Sequence, residues 1–368
     1  MAPEGAGDRW GYGYDALRAD LDRWRTSPFV RIDSIGASVL GRAIWELTIT
    51  SPNEPATPRH TVYIHARTHP NEVEGTHVVN EVIRALLSDE PWARTLRERT
   101  TFHIVPMYNP DGVELEFPRE NANGLDLERQ WDKDPMEPET AALKRRFVSL
   151  MASAEPIEVA INIHSAYACK RYFVFHDPTG TSSAYAVLEQ RFIEAVRSFF
   201  IEGIEPWSYN VTWEGTAPTH FPESFFWYTH GPNVMALTYE DMNCASHGSY
   251  DRTGVAIVRG IAEYLGISFS TGVARGSNLP VNFTLEQNYP NPFNGYTTIR
   301  YTLPRSEHIE IALYNTLGEK VQTITEGYQR AGSYDLRFNS GALPEGVYIY
   351  RLNAGGIVES RRLAIVRR

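Results

Sequence analysis

The hydrophobic periodicity of the chain changes once, near residue 270, and this change limits the folds that are possible. Before it, short apolar runs alternate with longer runs whose apolar residues recur every three to four positions. Several short runs, such as VYIHA at 62–66, are almost continuously apolar, as in strands buried on both faces. The alternation predicts an α/β domain with a mixed, largely parallel sheet and helices on both faces.

After this point the pattern has a period of two residues. Segments from IEIALYN to VESRRLAIV alternate apolar and polar residues, and turn-forming sequences such as NSGALPEG separate them. This pattern predicts a small all-β sandwich. We therefore expect a first domain over 1–270, a linker over 271–282 and the sandwich over 283–368.

Composition excludes several classes of protein. The formal net charge of −10 argues against a general nucleic-acid binder, which needs a basic face. No run approaches the ~18 apolar residues of a membrane span. The first thirty residues lack the apolar core of a signal peptide, so the chain is either a cytosolic protein or a mature form without its leader. Two cysteines exclude a disulfide framework but allow one bridge.

Ionisable side chains follow three of the predicted strands. His69 and Glu72 lie just after the strand at 62–66, His164 ends a second strand, and Glu240 ends a third. Ligands gather at the carboxyl ends of such strands, and two histidines with one glutamate form a catalytic zinc site. Glu240 would then be a free carboxylate for proton transfer. A lone histidine near a strand end is more often a hydrogen-bonded packing residue, and only the three residues together favour a metal site.

Two arginines lie in the loop that follows the strand at 102–107. Arg119 and Arg129 stand within NPDGVELEFPRENANGLDLERQWD, which is rich in Gly and Asn. Guanidinium groups near an open zinc position suit a substrate carboxylate and a developing oxyanion. The alternative is that both arginines form surface ion pairs.

The motifs HPNE, NPDG, RENANGLDLER, IHS and TYED resemble, in order and spacing, those of the zinc metallocarboxypeptidases of the carboxypeptidase A/B/D superfamily. The resemblance covers residues 9–267. It implies hydrolysis of the C-terminal peptide bond of peptides or proteins, with one Zn²⁺ per catalytic domain. It also implies the zinc ligands His69, Glu72 and His164. Glu240 matches the general base, Arg119 the arginine that polarises the scissile carbonyl, and Arg129 the arginine that binds the substrate's terminal carboxylate.

Two further positions of this resemblance concern the substrate. Phe225 matches a position that helps to set side-chain specificity, and an apolar residue there argues against Lys or Arg termini. Glu128 stands where the family usually has Asn, and it would repel a substrate carboxylate unless it were protonated or turned towards Arg129. Glu128 therefore leaves a second function possible, that of a related zinc amidohydrolase that acts on peptidoglycan stem peptides or side-chain-linked amides. A catalytically inactive binding module is disfavoured, because it has no need of the whole residue set.

A second resemblance covers about 283–368. LEQNYPNPFN, IALYNTLGEKV and LPEGVYIYRL resemble the C-terminal sorting module of proteins exported by type IX secretion. It implies contact with the secretion machinery, a secreted or cell-surface location, and an N-terminal signal peptide absent from this chain. An ordinary accessory sandwich is the alternative.

Because export permits disulfides, we hypothesise that Cys169 and Cys244, which follow His164 and Glu240 closely, form one.

Overall fold

A computed structural model gives the fold of the chain. It divides into two compact units, residues 1–272 and 273–368. The structure describes residues 11–53, 58–209, 212–213, 217–269, 283–303, 307–329, 332–341, 343–354 and 357–367. The predicted linker at 271–282 lies outside the described residues.

The first unit alternates strands and helices along the chain. Its helices, α1 to α8, span Tyr14–Trp24, Val73–Leu87, Pro91–Arg99, Pro110–Glu114, Pro138–Met151, Ser183–Arg197, Pro222–His230 and Tyr250–Tyr264. Its strands, β1 to β8, span Val30–Ala37, Ala43–Ile49, His60–Ala66, Thr100–Val105, Ile157–Ala166, Tyr172–His176, Thr212–Trp213 and Met235–Met242. Short 3₁₀ turns occur at Leu127–Arg129 and Gly231–Asn233.

The strands of this unit form one eight-stranded sheet in the order β1-β2-β4-β3-β5-β8-β6-β7. The central strands β4, β3, β5 and β8 pair in parallel. Strands β1, β2 and β6 add antiparallel pairs on either side. The sheet is therefore mixed with a parallel centre, which confirms the predicted fold class. Parallel neighbours also bring the carboxyl ends of β3, β5 and β8 to one edge.

Helices cover both faces of the sheet, as predicted. Along β3, Val62, Ile64 and Ala66 pack into a core that includes residues of α2, α6 and α8. The intervening Tyr63 points to the other face, where it packs into a second core with Phe147 of α5. Because successive side chains of a strand alternate in direction, a continuously apolar strand is required here.

The second unit consists of antiparallel strands. Strands β9 to β15 span Thr284–Leu285, Tyr296–Leu303, Glu307–Tyr314, Lys320–Gln329, Gly332–Asn339, Gly346–Ala354 and Ile357–Ile365. They form two sheets, in the orders β13-β10-β9 and β12-β11-β14-β15. One buried core joins residues of both sheets, among them Ile299 of β10 and Leu352 of β14. This arrangement is the predicted sandwich.

Across the described ranges, none of the helices has the length and apolar character that crossing a bilayer requires.

A buried ion pair connects α5 to strand β2. Glu46 is 2% exposed, and its carboxylate accepts hydrogen bonds from Arg146 Nη2 at 2.8 Å and Tyr63 Oη at 2.9 Å. His103 Nδ1 lies 3.0 Å from the same carboxylate. Burial favours the neutral carboxyl, but His103 and Arg146 outweigh it and lower the pKa of Glu46. Glu46 is therefore charged at neutral pH.

We expect Arg146→Met to lower the free energy of unfolding by about 3 kcal/mol near pH 7, because it leaves a buried carboxylate without its cation. Since the pKa of Glu46 is lowered on folding, its stabilising contribution is complete above its ordinary value of 4.5. That contribution is lost as the pH falls, so the difference from wild type should shrink in acid. Urea unfolding measures both effects. Arg145→Met, at the exposed neighbouring position, is the control, and equal midpoints for the two variants would contradict the prediction.

Candidate active site

The turn between β3 and α2 is held by a buried arginine. Arg67 has left-handed backbone geometry with φ of 59° and is 1% exposed. Its Nε donates to the carbonyl oxygen of Pro70 at 2.6 Å, and its Nη1 donates to Thr76 Oγ1 at 2.8 Å. The guanidinium thus ties the turn to the first residues of α2. This turn carries His69 and Glu72.

His69, Glu72 and His164 converge on one point at the carboxyl edge of the sheet. Glu72 Oε1 lies 2.8 Å from His69 Nδ1, and Glu72 Oε2 lies 2.8 Å from His164 Nδ1. The two Nδ1 atoms are 3.1 Å apart. Ligand atoms of a tetrahedral zinc ion lie ~3.3 Å apart when the bonds are near 2.0–2.1 Å. The donor types and the distances between them therefore fit a zinc ion. Among the described residues, His69, Glu72 and His164 are the cluster that could hold a metal ion.

Each of these histidines has a carboxylate at its other ring nitrogen. His69 Nε2 lies 3.2 Å from Asp126 Oδ1, and His164 Nε2 lies 3.3 Å from Glu128 Oε2. His164 and Glu128 are therefore close enough to form an ion pair, but their geometry is not that of a hydrogen bond. Burial works against ionisation of Asp126, but His69 and Arg119 lower the pKa of its carboxyl to about 2. Carboxylates at this position orient ligating histidines and raise their basicity.

Glu128 turns inward rather than towards Arg129. It is 6% exposed, and both of its carboxylate oxygens lie 3.1 Å from Asn162 Nδ2, which donates to them. Asn162 stands on β5, two residues before His164. From the sequence, the Glu128 carboxylate could have turned towards Arg129. Its contacts with Asn162 and His164 show that it does not.

Glu240 lies beside the cluster on the neighbouring strand. It is in register with His164 across the parallel β5–β8 pair. Its Oε2 has no hydrogen-bond partner among the described residues. Burial and the negative charge of Glu72 raise the pKa of Glu240 to about 8. A carboxyl group with this environment can exchange protons near neutral pH.

Arg119 and Arg129 bring positive charge to the same edge. Arg119 Nη2 lies 3.2 Å from Asp126 Oδ2 and 2.7 Å from His69 Nε2. Arg129 Nε lies 3.7 Å from the same Asp126 oxygen. The two side chains are 46% and 57% exposed, so both guanidinium groups can also meet a ligand from solvent.

Phe225 and Glu223 of helix α7 make different contacts. The ring of Phe225 packs 5.7 Å from that of Trp131 and lies 5.3 Å from Lys144 Nζ. These contacts belong to the core on the α5 face. Glu223 instead faces β8, where its Oε1 accepts from Thr238 Oγ1 at 2.8 Å. Nothing in the sequence distinguished Glu223, since an acidic residue in a first helical turn is ordinary.

Cys169 and Cys244 are joined by a disulfide, with their Cα atoms 5.5 Å apart. This confirms the hypothesised pairing. The bridge connects the segment after β5 to the segment after β8, the two strands that carry His164 and Glu240. It therefore restrains both strand ends at the site.

Comparison with known families gives two matches. Residues 20–251 match the family described as zinc carboxypeptidase. Residues 287–366 match the family described as secretion system C-terminal sorting domain. The two matched ranges fall in the first and second compact units respectively.

Individual relatives agree with the first match. Cytosolic carboxypeptidase 6 of Mus musculus is 34% identical over 148 residues, which are 39% of this chain and 27% of that protein. Cytosolic carboxypeptidase 2 of Danio rerio is 39% identical over 127 residues, which are 33% of this chain and 18% of that protein. The chain thus spans only a minor part of the curated relatives it matches.

Solved structures show the same fold. A metallo-carboxypeptidase from Burkholderia cenocepacia superposes with a TM-score of 0.61 at 22% identity, covering 69% of this chain and 70% of that one. A metallo-carboxypeptidase from Pseudomonas aeruginosa gives a TM-score of 0.60 at 21% identity, covering 70% of each chain. Since the family match extends over well over half of the sequence, the chain belongs to the zinc carboxypeptidases, a family of peptide-bond hydrolases.

Proposed function

We propose that the chain is an exported zinc exopeptidase that hydrolyses the C-terminal peptide bond of peptides or proteins. The observation that carries the proposal is the convergence of His69, Glu72 and His164 on one point, with Glu240 in register beside His164. Three protein ligands would leave room for water or substrate at a bound zinc ion, as in catalytic rather than structural zinc sites.

The three ligands would hold zinc through the two Nδ1 atoms and the Glu72 carboxylate. A zinc ion bound there supplies Lewis acidity, which lowers the pKa of a water molecule and polarises a carbonyl group. Glu240 takes a proton from the attacking water and returns it to the leaving amine. Asp126 keeps the imidazole ring of His69 in its ligating orientation through their hydrogen bond, and the negative charge of Glu128 lies beside the ring of His164.

The two exposed arginines bind the charged parts of the substrate. Arg119, whose contact with His69 supports this role, stabilises the oxyanion that develops on the scissile carbonyl. Arg129 anchors the terminal carboxylate of the substrate through its guanidinium fork. Asp126 contacts both arginines and so fixes their spacing from the metal ligands.

The amidohydrolase alternative rested on repulsion between Glu128 and a substrate carboxylate. The contacts of Glu128 with Asn162 and His164 direct its charge inward, away from Arg129. This arrangement supports the exopeptidase over the amidohydrolase, because Arg129 stays available to a terminal carboxylate.

The second unit supports the proposed location. Its match to a secretion system C-terminal sorting domain supports export of the catalytic unit. We further propose that the route is type IX secretion, with the sandwich as the part that the secretion machinery recognises. A disulfide near the site is consistent with an oxidising compartment.

Mass spectrometry of a mixed peptide library tests the proposed activity. Zinc-loaded protein is expected to remove residues stepwise from C-termini, and a chelator should stop this loss. The same protein with zinc restored is the control. If zinc is bound and no peptide in the library is shortened, the exopeptidase is wrong, and peptidoglycan fragments become the substrates to examine.

A further inference from the structure

Arg129, the arginine proposed to bind the substrate terminus, is contacted by the segment that leads into helix α7. Two hydrogen bonds join this segment to the residues that follow Arg129. Thr219 Oγ1 donates to Asp132 Oδ2 at 2.7 Å, and the backbone N–H of Trp131 donates to the carbonyl oxygen of His220 at 3.3 Å. These bonds hold the two segments together, although 91 positions separate Arg129 and His220 along the chain.

The imidazole ring of His220 contacts the guanidinium group directly. His220 Nε2 lies 3.3 Å from Arg129 Nη1. Because an arginine side chain only donates hydrogen bonds, His220 Nε2 is the acceptor, and the ring carries its proton on Nδ1. Burial and the positive charge of Arg129 lower the pKa of His220, so the imidazole is neutral at pH 7 and can accept this bond.

Phe221 contacts the same guanidinium group through its aromatic ring. Arg129 Cζ lies 5.3 Å from the centroid of the Phe221 ring, within the range of a cation–π interaction. The Phe221 ring also lies 4.4 Å from the ring of His220 and 5.6 Å from that of Trp213. Contacts with two other rings restrict the rotation of Phe221, so it offers Arg129 a fixed surface.

These contacts leave part of the guanidinium group open. Asp126 Oδ2 lies 3.7 Å from Arg129 Nε, and His220 accepts from Nη1. Within the described part of the chain, Nη2 donates no hydrogen bond, and the side chain is 57% exposed. A carboxylate binds a guanidinium group through two parallel N–H bonds, so the orientation of the guanidinium plane decides whether its open edge can meet a substrate.

We infer that His220 and Phe221 are positioning residues, which orient Arg129 for the terminal carboxylate of the substrate. This role rests on the proposed exopeptidase function, in which Arg129 binds that carboxylate. Neither residue needs to touch the substrate. A long side chain that is already held in its binding orientation loses less conformational freedom when the substrate arrives, and binding is correspondingly tighter.

His220→Leu tests the hydrogen bond on the zinc-loaded full chain. We expect KM for peptides with a free C-terminus to rise about 3- to 10-fold, the effect of one hydrogen bond of ordinary strength. The change in kcat should be smaller, because Arg129 holds the carboxylate in both the ground state and the transition state. His220→Gln keeps an amide oxygen near the position of Nε2, so its KM should stay close to the wild-type value.

Inhibition by the released amino acid separates positioning from general damage to the site. This product carries the terminal carboxylate, whereas the amide of the same amino acid lacks the charge. His220→Leu should raise the inhibition constant of the amino acid about 3- to 10-fold and leave that of the amide unchanged. Phe221→Leu, which loses the cation–π contact, should raise the first constant about 2- to 5-fold. His60→Leu is the control, because His60 is a partly buried histidine that contacts Glu158 instead, and it should change neither constant.

A double-mutant cycle shows whether His220 acts through Arg129. In an Arg129→Met background, adding His220→Leu should weaken binding of the amino acid no further, since no guanidinium group remains to be oriented. The same loss in both backgrounds would mean that His220 acts independently of Arg129, and it would overturn the positioning role. Thermal unfolding and zinc content establish that each variant is folded and loaded.

The positioning role and the proposed function fail in different ways. If peptides are trimmed but His220→Leu and Phe221→Leu bind the amino acid like the wild type, the exopeptidase stands and the positioning role is wrong. The same conclusion follows if His220→Leu weakens binding of the amino acid and of its amide equally, as a loosened site would. If zinc-loaded wild-type protein shortens no peptide, the proposed function fails, and the positioning role fails with it.

Discussion

Glu240→Gln is expected to lower kcat for peptide hydrolysis by about 10²- to 10⁴-fold while zinc remains bound. The amide keeps the size of the side chain but cannot accept a proton from water. None of the three ligand atoms belongs to Glu240, so the metal affinity should change little. Burial and the charge of Glu72 raise the pKa of Glu240, so ionisation of this carboxyl opposes folding, and a neutral amide in its place should not destabilise the protein.

Steady-state kinetics and zinc content, measured on the same preparation, check this prediction. Glu158→Gln is a matched control, because Glu158 is a carboxylate at the opposite end of β5, where it contacts His60. The control should turn over substrate like the wild type. A Glu240→Gln protein with near-normal kcat would remove Glu240 from the mechanism, and one without zinc would make it a metal-binding residue instead.

The fold was predictable because its signals are local and repeated. Continuously apolar runs such as 62–66 identify strands buried on both faces, and the period-two pattern after residue 270 identifies the sandwich. The metal-binding cluster was predictable for a related reason. His69, Glu72 and His164 each follow a strand, and parallel strands bring their carboxyl ends to one edge.

The residues around the cluster were harder to find. Asn162 gives a weak signal, since it is a polar residue inside the apolar strand VAINIH. Asp126 lies in the same loop motif as the two arginines, where an acidic residue gives no signal of its own. The direction of the Glu128 carboxylate depends on Asn162 and His164, which are distant in sequence. Side-chain direction at such positions follows from tertiary packing, which periodicity does not report.

The choice between Phe225 and Glu223 shows the same limit. Both residues stand in helix α7, and their positions in the chain do not reveal what each one contacts. The helix docks with Phe225 against Trp131 and with Glu223 against Thr238. The packing of the helix against these neighbours decides which way each of the two side chains points.

His69→Ala is expected to lower zinc content from about one ion per chain to well below that value, and to abolish chelator-sensitive hydrolysis. His69 supplies one of the three ligand atoms, and two ligands cannot complete a tetrahedral site without additional water. Zinc should therefore no longer stabilise the folded variant. At a hundredfold excess over its dissociation constant, a ligand adds about 2.7 kcal/mol to the free energy of unfolding, and this gain should be absent.

His60→Ala is the matched control, because His60 begins the strand that leads towards His69 and contacts Glu158 rather than the cluster. It should bind zinc and gain thermal stability from it like the wild type. Metal analysis and thermal unfolding with and without zinc separate the two variants without any activity assay. Full zinc occupancy in His69→Ala would exclude His69 as a ligand. The contact between His69 Nε2 and Asp126 would then be structural, and the rigid turn built on Arg67 would hold a packing residue rather than a metal ligand.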